Sequence, residues 1–160
     1  FRFALGSLAL RFIQKGARLR ILGDINRFPK DIAQKSLEMI GKSAKNHQIT
    51  VTFALNYGGR DEILRAVKKI VTEKIPAEKI DESVFSSHLD TDGIPDPDLI
   101  IRTGGEQRLS GYLPWQSVYA ELIFTPTLFP DFTPDQLTLA IDDFLKRDRR
   151  FGGDGSVKVK

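Results

Sequence analysis

Apolar side chains recur at Phe1, Leu5, Leu8 and Phe12, the spacing of one helical face, and Phe3, Ala4 and Ile13 widen that face. Gly16 stands where such a helix would stop. Arg18 to Gly23 then reads as a short strand. Helical spacing returns from Lys30 to Asn46, with Ala33, Leu37, Ile40 and Ala44 on one side. Ile49 to Leu55 is rich in β-branched and aromatic residues and predicts a buried strand. A third helix is predicted from Arg60 to Lys74, with Ile63, Val67 and Ile70 inward, until Pro76 breaks it. Asp81 is placed to cap a short helix reaching His88. Asp98 to Thr103 predicts a strand, bounded by a Pro/Asp/Gly loop and by Gly104-Gly105. Trp115 to Leu122 reads as helical, and Ile123-Phe124 as a last short strand. The final helix is the best signalled. Thr133-Pro134-Asp135-Gln136 supplies a capping residue, a proline at the first helical position and a glutamine where a capping box needs it. Leu137, Ile141, Phe144 and Leu145 follow on one face.

This alternation predicts an α/β fold, a mainly parallel sheet flanked by helices, in one domain over residues 1–153 with a flexible tail at 154–160. Parallel sheets bind ligands beyond the carboxyl ends of their strands. The rule points to the turns at residues 56–60 and 102–106 and to the stretch after Phe124.

Composition removes several classes of function. The chain has 160 residues, 24 basic against 21 acidic, so its net charge of +3 is too small and dispersed for a nucleic-acid binder. It has no cysteine, which excludes disulfides and thiolate metal sites and fits a reducing compartment. The two histidines, His47 and His88, read as surface residues without a role. The apolar opening at residues 1–13 contains Arg2 and Arg11 and is too short to cross a membrane. It has no small-residue cleavage site, and is expected to be an internal helix whose upstream context is missing.

Four places could carry chemistry. In Arg102-Thr103-Gly104-Gly105-Glu106-Gln107-Arg108-Leu109-Ser110 an arginine closes a strand, glycines let backbone N–H groups approach a ligand, and an arginine and a hydroxyl follow. Guanidinium forks match phosphate oxygens, so this is a candidate diphosphate cradle; a glycine turn with surface arginines is the plainer alternative. Glu121 lies among apolar neighbours, where a carboxylate is either salt-bridged or meets a metal, and the residues alone favour the salt bridge. Asn56-Tyr57-Gly58-Gly59-Arg60 is either an anion site before a helix or a tight turn. The basic run at Arg147, Arg149 and Arg150 suits a last helical turn. Ser110 has no His/Asp partner pattern that would make it a nucleophile.

Taken together, Asn56–Arg60, Pro95–Ser110, Trp115-Gln116-Ser117 with Tyr119-Ala120-Glu121, and Arg149–Gly153 closely resemble the signatures of cis-prenyltransferases, in the same order, and Leu19–Asp24 also fits. The bacterial undecaprenyl diphosphate synthases are the nearest type. The resemblance implies condensation of isopentenyl diphosphate onto an allylic diphosphate, commonly farnesyl diphosphate, giving a long cis-polyprenyl diphosphate. It implies that Arg102, Arg108, Leu109 and Ser110 hold the diphosphate of isopentenyl diphosphate. Arg150 and Gly152 would reach a partner subunit's site, and Glu121 would help to place Mg²⁺. It further implies a cytoplasmic homodimer, peripheral at the membrane with which its product associates, and a hydrophobic tunnel with residues 1–13 as one wall. The family's first-strand motif, a Met-Asp-Gly-Asn core followed by arginine, has no counterpart here. The catalytic aspartate is therefore expected in a missing N-terminal part, and the chain alone is expected to be inactive. A non-catalytic partner subunit is the alternative, though such subunits generally lose Arg102, Arg108 and Ser110. Gly111 and Pro114 replace the family's usual asparagine and leucine and are expected to loosen the loop after the cradle.

Overall fold

The computed structural model describes residues 2–149, with side chains from Ser7 onward. The chain divides after Ile94 into two compact units. The first contains helix α1 (Arg2–Gln14), strand β1 (Ala17–Leu22), helix α2 (Lys30–Ser43), strand β2 (Ile49–Ala54), helix α3 (Gly59–Thr72) and the short helix α4 (Glu82–Ser86). β1 and β2 pair in parallel from Ala17↔Ile49 to Leu22↔Ala54, with α2 as the crossover. Helices α1 and α2 pack on β1 and on each other. Ala9, Leu19 and Met39 form the core there, with Phe12, Ile13, Val51 and Phe53 against it. Gly16 ends α1 at φ +82°, and Asn46 Nδ2 clamps the turn by donating to the carbonyls of Ile13 and Ala17, both at 2.9 Å.

The inward faces differ from the sequence expectation. In α2 the buried residues are Ser36, Met39 and Ser43, while Leu37 is 58% exposed. Ser43 explains the rotation: its hydroxyl accepts from Leu19 N–H at 2.9 Å and donates to the Ile40 carbonyl, so the small-residue ridge must face β1. In α3 the buried ridge is Glu62, Ala66 and Ile70, and Val67 is exposed. β2 is not the buried strand predicted: none of its residues is fully buried. Within this unit it has a strand on one side only, and the helices cover β1. At the strand ends Gly23 adopts φ +103°, and a Cβ there would stand 2.2 Å from the Leu55 carbonyl oxygen. Asp81 caps α4 as expected, accepting from Val84 N–H at 2.7 Å.

The second unit holds strands β3 (Leu99–Arg102) and β4 (Glu121–Phe124), parallel from Leu99↔Glu121 to Arg102↔Phe124, and helix α5 (Pro134–Leu145). Trp115 to Tyr119 forms turns, not a helix, because the ladder with β3 recruits Glu121 and Leu122 into the strand. The capping box of α5 is formed on both sides, Gln136 N–H to Thr133 Oγ1 and Thr133 N–H to Gln136 Oε1. Its apolar face is not sunk into a core: only Ala140 is buried, and Leu145 is 71% exposed. No helix among the described residues is long and apolar enough to cross a membrane.

Candidate functional site

The turn after β3 carries the candidate cradle. Gly104 and Gly105 sit at φ +91° and +80°, values open to glycine at little cost. Their N–H groups donate to the carbonyls of Thr127 and Thr125 at 2.8 and 2.9 Å. They are therefore engaged by the bend that follows β4, and are not the bare ligand-facing donors that the sequence suggested. The glycines instead stitch the end of β3 to the chain leaving β4.

From this fixed point the loop curls back onto Arg102. Its Nη1 donates to Ser110 Oγ at 3.0 Å and to the main-chain carbonyl of Arg108. Ser110 and Leu113 take left-handed conformations, φ +50° and +46°, to make this return, with Gly111 between them at +77°. Leu113 is buried and pins the far end. Of the predicted residues, Arg102 and Ser110 therefore meet through their side chains, and Arg108 joins them through its backbone. The Arg108 guanidinium, 64% exposed, pairs with Glu106. Leu109 is half-buried on the same loop. A cationic group, a hydroxyl and a second, outward guanidinium thus stand at the carboxyl end of a parallel strand, an arrangement suited to phosphate oxygens. Arg150 and Gly152 lie outside the described residues, as does the predicted tail at 154–160.

Glu121 opens β4, and Arg147 Nη1 reaches it at 2.8 Å, as the salt-bridge reading required. Arg147 also binds Asp143 at 2.7 Å, and its charged form is favoured by Glu121 and then by Asp143. The basic run does not end α5, which stops at Leu145. Arg147 and Arg149 lie past it and reach carboxylates; Arg149 Nη1 is 2.5 Å from Asp98, with its guanidinium 5.6 Å from the centre of the Phe144 ring. No group of three or more His, Cys, Asp or Glu side chains that could hold a metal occurs among the described residues. Glu121, expected at Mg²⁺, is a lone carboxylate here and is paired with Arg147; a single carboxylate beside substrate phosphates, not a cage, is the Mg²⁺ arrangement its chemistry allows.

Sequence reasoning missed the most tightly bonded site in the first unit, which surrounds the Asn56–Arg60 turn. Glu62, 1% exposed, accepts from Tyr57 Oη at 2.6 Å and from Asp90 N–H at 2.9 Å. The Asp90 carboxylate receives the Arg65 fork at 2.5 and 2.6 Å and the Gly23 N–H at 2.8 Å. Arg65 Nε also reaches Asp61 at 2.9 Å. Burial pushes the Asp90 carboxyl up, but the Arg65 fork and Gly23 N–H outweigh it and hold it below the usual carboxylate range. Arg65 is raised, chiefly by Asp90. Only the Asp61–Arg65 spacing of i,i+4 signalled any of this in advance. Gly58 serves as N-cap of α3, so the segment leads into a helix N-terminus, a geometry common to the turn and the anion-site readings. His88 is not a free surface residue: Nδ1 lies 2.6 Å from the Val84 carbonyl and Nε2 3.1 Å from Glu73.

A family model described as "Putative undecaprenyl diphosphate synthase" matches residues 4–152. The isoprenyl transferase of Clostridium perfringens is 44% identical over 144 residues, covering 88% of this chain and 57% of that protein. That of Heliobacterium mobile is 46% identical over 149 residues, covering 91% and 56%. The chain thus spans a little over half the length of these curated relatives. Among solved structures, a probable undecaprenyl diphosphate synthase from Campylobacter jejuni superposes with a TM-score of 0.85 at 34% identity, covering 94% of this chain and 70% of that one. Lavandulyl diphosphate synthase from Lavandula x intermedia, solved with dimethylallyl diphosphate, gives 0.88 at 34% identity, covering 94% and 67%.

Proposed function

Because this chain belongs to the undecaprenyl diphosphate synthase family, we propose that the protein is a cis-prenyltransferase that condenses isopentenyl diphosphate onto an allylic diphosphate such as farnesyl diphosphate. The product is a long cis-polyprenyl diphosphate, of which undecaprenyl diphosphate is the expected example. The observation that supports this best is the return of the 104–113 loop onto Arg102, with Ser110 Oγ 3.0 Å from its guanidinium and Arg108 left pointing outward. Arg102 and Ser110 would grip the diphosphate of isopentenyl diphosphate at one end, and Arg108 would swing from Glu106 to close on it. Each charge-assisted bond contributes about 1.5–3 kcal/mol.

In the reaction the allylic C1–O bond breaks and diphosphate leaves with the electron pair. The isopentenyl double bond supplies the new carbon–carbon bond, and a proton is lost to restore a double bond. The arginines orient the nucleophile and fix its anionic end, which is a positioning task. Mg²⁺, when bound with Glu121 among its ligands, would stabilise the negative charge developing on the leaving group. Arg150 and Gly152 would reach the site of a second subunit in a homodimer. Leu8, 43% exposed on the apolar face of α1, offers apolar surface to a growing chain.

The test uses the full-length protein. Arg108→Ala should lose affinity for isopentenyl diphosphate far more than for farnesyl diphosphate, both measured by calorimetry. Equal losses would overturn the assignment of this loop to isopentenyl diphosphate.

A further inference from the structure

In the first unit, the edge of β1 that faces away from β2 is closed by side chains at two points. Leu19 N–H donates to Ser43 Oγ at 2.9 Å, and Gly23 N–H donates to Asp90 Oδ2 at 2.8 Å. Beside this edge is a cavity of about 480 Å³, open to solvent, lined by Arg18 and Arg20 from β1, Ile40 from α2 and Ala44 that caps it, and Asp92 and Gly93 from the loop after α4; Arg18, Ala44, Asp92 and Gly93 are exposed. Its volume lies within the roughly 300–1,000 Å³ of small-ligand sites.

Arg18 and Arg20 are two apart on one strand, so they project from the same face about 7 Å apart. Neither forms an ion pair with a carboxylate among the described residues. Arg20 is nonetheless held in place, because its Nη2 donates to the Asp92 main-chain carbonyl at 2.7 Å. That bond orients the guanidinium and removes none of its charge. Gly93, at φ +69°, keeps the opposite wall low: a Cβ there would be 3.6 Å from Arg20 Nη1. Ile40 and Ala44 supply an apolar wall. Asp92 also lines the cavity, so two arginines stand against one aspartate and the formal charge of the lining is +1.

We propose that this cavity binds a small phosphate-bearing molecule, with its phosphoryl oxygens between Arg18 and Arg20 and its organic part on Ile40 and Ala44. Guanidinium pairs suit phosphate geometry, and a site fixed at one arginine and adaptable at the other costs little to organise. The shared chemistry is that of a phosphomonoester or diphosphate, whether free in solution or the headgroup of a lipid.

The experiment is an NMR titration of this chain carrying Arg102→Ala, so that the cradle in the second unit does not compete. Inorganic diphosphate and dihexanoyl phosphatidic acid are the probes, and the Gly93 amide and Ile40 methyl signals are the readouts. Saturable shifts at both signals are expected, and Arg18→Gln should weaken binding by about tenfold, the loss of one charge-assisted bond. The exposed Arg18 side chain makes no hydrogen bond or ion pair among the described residues whose loss would unfold the unit, and far-UV circular dichroism checks that. Saturation by inorganic diphosphate assigns the site to free phosphate compounds. Saturation by the lipid alone assigns it to a headgroup. No saturable shift with either probe, or an unchanged affinity in Arg18→Gln, would overturn the proposal. Because the readouts and variant lie in the first unit, failure here leaves the Arg108→Ala test untouched.

Discussion

Replacing Asp90 with alanine removes three hydrogen bonds at once, two from Arg65 and one from Gly23 N–H. A fully buried ion pair broken on one side costs about 3–5 kcal/mol. Here the Asp90 side chain is 12% exposed and Arg65 is 26% exposed, and Arg65 keeps Asp61 as a second partner. The expected loss is therefore nearer 2–4 kcal/mol, roughly. With a urea m-value of about 2 kcal/mol/M, the unfolding midpoint should fall by about 1–2 M. Trp115 is the sole tryptophan and lies in the other unit. Far-UV circular dichroism and exchange of the Gly23 amide are therefore the proper probes, and Gly23 protection should collapse. Asp90→Asn keeps an acceptor for Gly23 and should lose about half as much. Arg65→Ala and the double variant close a cycle, whose coupling should reach about 1.5–3 kcal/mol. The pH dependence has a definite sign. Asp90 is depressed in the folded state, so its contribution is present above the unfolded carboxyl value of about 3.9 and is lost as pH falls from there through the folded value. The gap between wild type and Asp90→Ala should shrink in that window. A midpoint shift below about 0.25 M, near 0.5 kcal/mol and typical of surface changes, would refute the reasoning.

Three further outcomes follow from the geometry. Tyr57→Phe deletes the 2.6 Å bond to the buried Glu62 and should cost about 1–3 kcal/mol, read by the same denaturation. Thr133→Ala breaks the capping box and should cost about 1 kcal/mol, with faster amide exchange confined to the first turn of α5. His88 is raised, by the Val84 carbonyl first and Glu73 second, so its stabilising effect is complete below the unfolded value of about 6.5 and is lost as pH rises through the folded one. An NMR titration of its ring should give a midpoint above 6.5; a midpoint at or below it would contradict the two contacts.

Local signals were legible wherever a short stretch carries its own cause. The Thr133–Gln136 box, the Asp81 cap, the stop at Gly16 and the parallel pairing were all written in neighbouring residues or in strand–helix alternation. The Arg102–Ser110 meeting was legible in kind, since both residues flank one glycine turn. What escaped needed partners distant in sequence. α2 turned to present serines because Leu19 requires the Ser43 hydroxyl, and no periodicity rule ranks Ser43 above Leu37. Glu62 was invisible as a buried acid because Asp90 and Tyr57 approach it from outside its own helix. The cradle glycines were misread as ligand donors because Thr125 and Thr127, which engage them, arrive two decades of residues later.

Gly23 leaves one last consequence. With the Leu55 oxygen 2.2 Å from where a methyl would begin, even alanine is shut out, and the exits of β1 and β2 are pressed together like two pages sharing a spine. Neither exit can swing without carrying the other. Any hinge motion of this unit must therefore take place in segments beyond that seam.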